Sequence, residues 1–584
     1  MLYYRLAFEQ YGQHLIDVAV RFYAAPQQQV WLPVWIPGSY LVREFARHVG
    51  QVQAVVDPDG AASPINITKI TKNRWQIDCD LPTWIELRYQ VYAFDLSVRG
   101  AYFDHQRIYV NPACVCLAIA GQEQQPIRLG LAVGAAFLGL PLACSLAGAD
   151  ERCDDTVQYE LVATDYADLI DHPFEIAALT QTQFEVCGLP HRLAISGRHQ
   201  TDLLRLSTDL AKICQSHIEL FGSAPFSDYL FMVMATGNGY GGLEHQNCTS
   251  LITHRDDLPT VGEPVRPSAA YRRFLGLCSH EYFHAWLVKC IRPEGFAAPD
   301  LNAEVYTSLL WVFEGFTSYY DDLMLYRSGV IDRDAYLELL AEQISRYQQN
   351  AGRTQQSLSE SSFDAWIKYY RPDENSNNAG TSYYNKGALL ALCLDLTLRQ
   401  RGSDLDAVMR QLYAAAQAGQ TVNEQTLPAL CQQLVGDDLA DFWADYVYGT
   451  VELPFMALLG TFGLEFKLEE KLWPFGLKLQ NQPQGVVVQQ VLRDSAAARA
   501  GISAQDVLLA IDGIRASSTT VQQLAERLHA QGSGQPVSML RDVECHVFRR
   551  DELHVFRVRP YRSSVPSSRL LVAQPTLLQA WLDG

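Results

Sequence analysis

Arg272-Arg-Phe-Leu-Gly-Leu-Cys-Ser-His280-Glu281-Tyr282-Phe283-His284-Ala-Trp-Leu-Val288 is the stretch on which the reading of this chain turns. Apolar residues recur in it at i, i+3 and i+4, which predicts a helix over 269–288. Four residues turn a helix by about 400°, so His280 and His284 share one face and can bind one metal ion. Two neutral imidazoles on adjacent turns suit Zn²⁺ at roughly 2.0–2.1 Å. Glu281 projects beside them and can serve as general base toward a zinc-bound water.

A catalytic zinc needs a third protein ligand and an open position. The candidate is Glu314, in Trp311-Val-Phe-Glu314-Gly315-Phe316-Thr317-Ser318-Tyr319-Tyr320, on the next expected helix, 304–328. It is a charge among large apolar residues, and a buried carboxylate needs a partner. Ser318 and Asp321 share its helix face and could orient a ligand.

Around this centre the periodicity changes twice. Residues 15–23, 75–79, 84–94 and 108–117 alternate as strands, rich in Val, Ile, Tyr and Trp, and imply an all-β beginning. The apolar run 129–147 is interrupted by Gly130, Gly134, Gly139 and Pro141, so it reads as strand–turn–strand rather than a membrane span. Helical spacing takes over at 201–221 and returns at 334–350, 385–401 and 404–418, with one strand, 229–234, leading into a Gly-rich turn. From about 460 short strands resume, with one helix at 521–530 and a short terminal helix at 576–582.

The 584 residues exceed a single core and imply three to four domains. A net charge of −19 argues against nucleic acid as a partner. The 13 cysteines are odd in number, with no CxxC pair, which reads as buried thiols in a reducing compartment. No basic-then-apolar leader opens the chain, so the expected location is cytoplasmic.

The zinc motif and several further segments carry a resemblance. HExxH followed on the next helix by Glu-Gly-Phe-Thr resembles the thermolysin and aminopeptidase N group of zinc peptidases. Gly241-Gly242-Leu243-Glu244-His245 is similar to that group's exopeptidase strand, in the form typical of the glycyl aminopeptidase family. The resemblance implies that Glu244 binds the substrate's α-amine, and a carboxylate facing an ammonium at a closed end would select N-termini. Gly241 and Gly242 would let the substrate backbone pass close. From the residues alone, a Gly-rich hairpin with a solvent-facing Glu is the alternative.

Ser382-Tyr383-Tyr384-Asn385-Lys386-Gly387 resembles the group's Tyr-x-Lys-Gly segment, which implies Tyr384 as donor to the oxyanion, with Tyr383 as the fallback. Trp35-Ile-Pro-Gly-Ser-Tyr40-Leu-Val-Arg43-Glu44-Phe45 and Asp165-Tyr166-Ala-Asp168-Leu-Ile-Asp171-His-Pro173 are also similar to segments of the family. No chemical role follows from them, and turn or interface residues are the plain reading.

Phe475-Gly476-Leu477 looks like the carboxylate-binding loop of a PDZ domain, and 500–513 like the pattern that follows it. Such a domain would take a peptide C-terminus by strand addition, or serve only as a structural cap. The expected fold class is multidomain α+β. It comprises an N-terminal all-β, sandwich-like domain (1–170), a thermolysin-like, mostly helical zinc peptidase domain (171–458), a PDZ domain (459–562) and a C-terminal tail (563–584). The expected activity is aminopeptidase hydrolysis with one zinc per chain. By resemblance it favours N-terminal Gly or Ala. A zinc endopeptidase with the same site and a PDZ-bearing binding protein with a silent site are the alternatives. The sequence leaves the oligomeric state open.

Overall fold

The computed structural model describes the chain except for residues 57–59, 61, 150–153, 155, 473, 474, 484, 533–540, 560–563 and 584. The chain packs as two compact units. One holds Met1–Tyr306, Tyr320–Ile331 and Met409–Asn423; the other holds Thr307–Tyr319, Asp332–Val408 and Glu424–Gly584.

The first unit opens with an eight-stranded sheet. Its strands are β1 (Leu2–Gln10), β2 (Leu15–Ala24), β3 (Val49–Val56), β4 (Ser63–Ile65), β5 (Thr83–Tyr92), β6 (Ile127–Val133), β7 (Ala147–Gly148) and β8 (Tyr159–Ala163), in the order β7-β8-β6-β1-β2-β5-β3-β4. The alternation read at 15–23 is real: Ile16, Val18, Val20, Phe22 and Ala24 all point into the core from β2. The strand expected at 108–117 is shorter, Arg107–Val110, because Asn111 caps a 3₁₀ turn at Pro112–Cys114. The run 129–147 forms β6, a 3₁₀ turn at Ala135–Phe137 and the short strand Leu142–Ala143, as expected. Two four-stranded sheets complete this all-β region.

A second, five-stranded sheet follows: β9 (Thr180–Val186), β10 (Leu189–Ser196), β11 (Tyr229–Thr236), β12 (Gly241–Glu244) and β13 (Cys248–His254), ordered β9-β10-β11-β13-β12. β12 therefore lies at an edge and pairs antiparallel with β13 alone among the described strands. Two helices pack near it, α1 (Leu203–Phe221) and α2 (Ala269–Phe283). Side chains of Asp202 and Ser268 cap their N-termini by accepting from Arg205 N and Tyr271 N. α2 stops five residues before the expected 288, because the chain folds back there. Val288 adopts φ 101°, and the amide of Lys289 donates to the carbonyl of His284 at 3.1 Å.

α3 (Leu310–Arg327) carries Glu314. The second unit contains α4 (Arg333–Gln349) and α5 (Asn385–Arg399). Within it α3 and α5 approach so closely at Gly315 and Gly387 that a Cβ on Gly315 would lie 2.6 Å from the Cα of Gly387. The glycines after Glu314 and Lys386 are thus a helix-packing requirement.

The C-terminal part has β14 (Leu464–Leu472), β15 (Leu477–Gln482), β16 (Gly485–Val491), β17 (Val507–Ile511), α6 (Ser518–Gly532), β18 (Val543–Arg549), β19 (Glu552–Val558) and β20 (Ser564–Val572). Its main sheet runs β15-β16-β17-β18-β19, with β15 at the edge, and Val521 and Leu524 of α6 pack on its core. The Ser/Pro-rich stretch before the terminal helix is strand β20, antiparallel to β14. The helix itself runs Pro575–Leu582 and buries Trp581. No helix among the described residues is long and apolar enough to cross a membrane.

Candidate active site

His280 lies in the last turn of α2, and His284 caps its C-terminus. The Nδ1–H of His280 donates to Asp321 Oδ2 at 3.0 Å, and the Nδ1–H of His284 donates to the carbonyl of Leu287 at 2.9 Å. Both acceptors lack a proton to give, so both rings carry their lone pair on Nε2. The two Nε2 atoms are 3.1 Å apart. Two nitrogens bound tetrahedrally at zinc distances would stand roughly 3.3 Å apart. Glu314 is 2% exposed, and the ligand atoms of His280, His284 and Glu314 all lie within 4.8 Å of one another. Two neutral imidazoles and a carboxylate converging on one point fit a zinc ion.

The support behind His280 is layered. The Ser279 hydroxyl donates to the carbonyl of Asp321 at 2.9 Å, so at the other side it accepts from His217 Nε2, also at 2.9 Å. His217 is completely buried, and burial pushes its pKa down to about 3, so it stays neutral.

Glu281 is 5% exposed, and its Oε2 meets no hydrogen-bond partner among the described residues. Burial pushes its carboxyl up to about 7, and the charge of Glu244 adds to this, while His280, His284 and Arg99 pull the other way. Gly242 sits directly against this carboxylate, where any Cβ would overlap it. Arg99 donates from Nη2 to the carbonyl of Gly242 at 2.9 Å. No sequence signal singled out Arg99, because it comes from the all-β region, more than a hundred residues away from the strand it touches.

Glu244 ends β12, is 4% exposed, and has an Oε1 without a partner among the described residues. Gly38 covers it: the residue adopts φ 90°, and a Cβ there would overlap the Glu244 carboxylate. The Trp35–Phe45 segment thus acquires a physical reason. Its tight turn is closed by Ser39 N donating to Ile36 O, and Trp35 is anchored on the carbonyls of Asp300 and Ala303.

The second unexplained segment converges on the same strand. Asp171 accepts from His245 Nδ1 at 3.1 Å, from Gln246 N at 3.0 Å and from Lys289 Nζ at 2.7 Å. Burial alone would raise this carboxyl, but the Lys289 charge and His245 outweigh it and hold it far below the usual range. His172 bonds Asn247 Oδ1 at 3.0 Å. Asp171 and His172 therefore grip the turn immediately after Glu244. Gly241, in contrast, has nothing near its Cβ position and faces open space.

Tyr384 stands at the N-terminus of α5, its hydroxyl 3.3 Å from that of Tyr370, and its ring stacks on Tyr369 at 5.4 Å. Burial raises its pKa well above that of a free phenol, and the charge of Glu314 adds to this. Tyr383 is fully buried. Phe475, Gly476 and Leu477 precede and begin the edge strand β15, with Gly476 at φ 66° packed on Ser495.

A two-histidine, one-carboxylate centre, with His280 half-buried and His284 and Glu314 buried, beside a buried acid on a helix packed against a five-stranded sheet, defines a zinc metallopeptidase. The comparisons agree. Residues 273–390 match the M61 glycyl aminopeptidase domain, 3–178 the N-terminal domain of the same peptidases, and 465–540 a PDZ domain. A solved aminopeptidase N family protein from Idiomarina loihiensis is 37% identical over 100% of both chains, with a TM-score of 0.93. An M1 zinc metallopeptidase from Deinococcus radiodurans shares the fold at 13% identity and TM-score 0.50, over 78% of this chain and 95% of that one. Among curated proteins nothing matches the chain. The chain belongs to the M61 glycyl aminopeptidase family.

Proposed function

We propose that this protein removes single N-terminal residues, with Gly or Ala preferred, from peptides in the cytoplasm. The observation that carries the reading is Glu244: a buried carboxylate, one oxygen of which meets no hydrogen-bond partner among the described residues, on an edge strand, beside the acid Glu281. A buried anion without a partner is costly, and a substrate ammonium would supply the partner.

His280, His284 and Glu314 would hold one zinc ion per chain. Bound there, zinc supplies Lewis-acid polarisation of the carbonyl and lowers the pKa of water. Glu281 takes the proton of the attacking water on a carboxylate oxygen and returns it to the leaving nitrogen. Its raised affinity for protons suits both steps. The Tyr384 hydroxyl donates to the oxyanion as it forms. Glu244 holds the α-ammonium, and Gly38 closes the space behind it. Gly241 leaves the outer edge of β12 open, so the substrate backbone can lie along it. The edge strand β15 and the loop at Phe475, Gly476 and Leu477 would take a peptide C-terminus.

The test is hydrolysis of alanine p-nitroanilide with a free and with an acetylated amine, each with and without chelator. The expected result is cleavage of the free-amine substrate only, lost on chelation and restored by zinc. Cleavage of the acetylated substrate would overturn the role of Glu244 and indicate an endopeptidase. In parallel, Glu281→Gln should retain zinc and lose activity by about 10²- to 10⁴-fold.

A further inference from the structure

β12 is an edge strand, and an edge presents backbone groups that the sheet itself leaves unpaired. The hairpin that follows decides which groups these are. His245 N donates to Cys248 O at 3.0 Å, and the register runs on with Glu244 opposite Thr249, Leu243 opposite Ser250 and Gly242 opposite Leu251. Hydrogen-bonded and non-hydrogen-bonded pairs alternate along an antiparallel ladder. Leu243 and His245 therefore bond toward β13, while Gly242 and Glu244 turn their N–H and C=O outward. The outward carbonyl of Gly242 is taken by Arg99, whose Nη2 donates to it at 2.9 Å.

Arg99 is held in place for this contact. It is half-buried, in the turn 97–100 that leads into the strand Ala101–Phe103. Its amide donates to Ser97 Oγ at 3.2 Å, and its carbonyl accepts from Cys114 Sγ at 3.3 Å. The Tyr109 hydroxyl bonds the carbonyl of Val98 and the hydroxyl of Ser250, each at 2.9 Å, and Ser250 lies opposite Leu243. The turn is thus tied to one hairpin at two points, through Tyr109 and through the guanidinium. The Nε of Arg99 is buried and meets no hydrogen-bond partner among the described residues, so the contact with Gly242 is what orients the group. Gly242 is also the residue against which the Glu281 carboxylate lies. Glu244 follows two positions later on the same face of the strand, about 7 Å along it.

We propose that Arg99 is a positioning residue: by fixing the outward carbonyl of Gly242 it sets how β12 lies against Glu281 and seats the Glu244 carboxylate at the substrate's amine. The inference rests on the aminopeptidase reading for the role of Glu244. A planar guanidinium on a braced turn fixes the direction of a carbonyl, which the rotating ammonium of a lysine does less well.

The full-length, zinc-loaded enzyme and its Arg99→Met and Arg99→Lys variants are assayed on alanine p-nitroanilide with a free and with an acetylated amine. Methionine removes the donor and the charge while filling much of the same space. On the free-amine substrate Arg99→Met should lower kcat/KM about 10- to 100-fold, with zinc content unchanged and the melting temperature within a few degrees of wild type. Arg99→Lys should recover part of the loss. In a Glu244→Gln background the seat is already lost, so adding Arg99→Met should cost almost nothing further. A role confined to covering the sheet edge would lower the melting temperature and leave kcat/KM per bound zinc unchanged, and that result overturns the proposal. So do losses that multiply independently in the cycle. Cleavage of the acetylated substrate by the wild type defeats the aminopeptidase reading instead. Arg99→Met should then still slow that cleavage, because Gly242 lies against Glu281 in either case, and an unchanged rate overturns the role of Arg99. If neither substrate is cleaved, crystal structures of the wild type and Arg99→Met decide. A Gly242 carbonyl turned away and a displaced Glu244 carboxylate support the proposal, and superimposable strands refute it.

Discussion

Gly38→Ala probes the catalytic geometry from a distance in sequence of about two hundred residues. The backbone at Gly38 has φ 90°, where an L-residue costs on the order of 1–2 kcal/mol. The new Cβ would also stand 2.6 Å from Cδ and 2.7 Å from Oε2 of Glu244. Ordinary contact begins near 3.4 Å, so the carboxylate must retreat by roughly 1 Å. Misplacement of that size costs about 10²-fold in a positioned reaction. On alanine p-nitroanilide, kcat/KM should therefore fall about 10- to 100-fold, while zinc content stays at the wild-type value and the melting temperature drops by only a few degrees. A double-mutant cycle isolates the cause. In a Glu244→Ala background the clash is gone, so adding Gly38→Ala should cost almost nothing further. Wild-type activity in a folded Gly38→Ala protein, or effects that multiply independently in the cycle, would refute the placement of this turn behind the substrate amine.

Asp321→Asn keeps the shape but weakens the acceptor that orients His280; competition with a chelator should show zinc affinity reduced about 10- to 100-fold. Tyr384→Phe should lower kcat about 10²- to 10³-fold with little change in KM, since the hydroxyl acts on the oxyanion; a pure KM effect would point to packing instead. His217 has a folded pKa of about 3 against an unfolded value near 6.5, so the folded state binds fewer protons between them. The stability from its neutral form is complete above pH 6.5 and is lost as pH falls, by up to about 1.4 kcal/mol per unit. His217→Gln should flatten that part of the stability profile in denaturant titrations, and an unchanged slope would contradict it.

What the sequence determined by itself was local. A four-residue step on a helix puts His280 and His284 on one face whatever surrounds it, and alternation in 15–23 makes a half-buried strand. Glu314 was legible as a charge in an apolar helix, which needs a partner when buried, whereas Tyr384 was singled out only by the resemblance of its segment to a family motif. The end of α2 was not legible: the chain turns at Val288 because Lys289 and Leu287 bond back to His284, which no periodicity records. Nor was the reason for the Trp35–Phe45 and Asp165–Pro173 segments, whose meaning lies in contacts made across the fold. Gly38 must be glycine because a carboxylate from β12 lies against it. Asp171 must be charged because Lys289 and His245 converge on it, and Arg99 reaches the Gly242 carbonyl from a loop of another sheet. Hydrogen bonds and excluded volume act between atoms brought near by folding, so a requirement imposed by a neighbour distant in the chain becomes visible only in the tertiary structure.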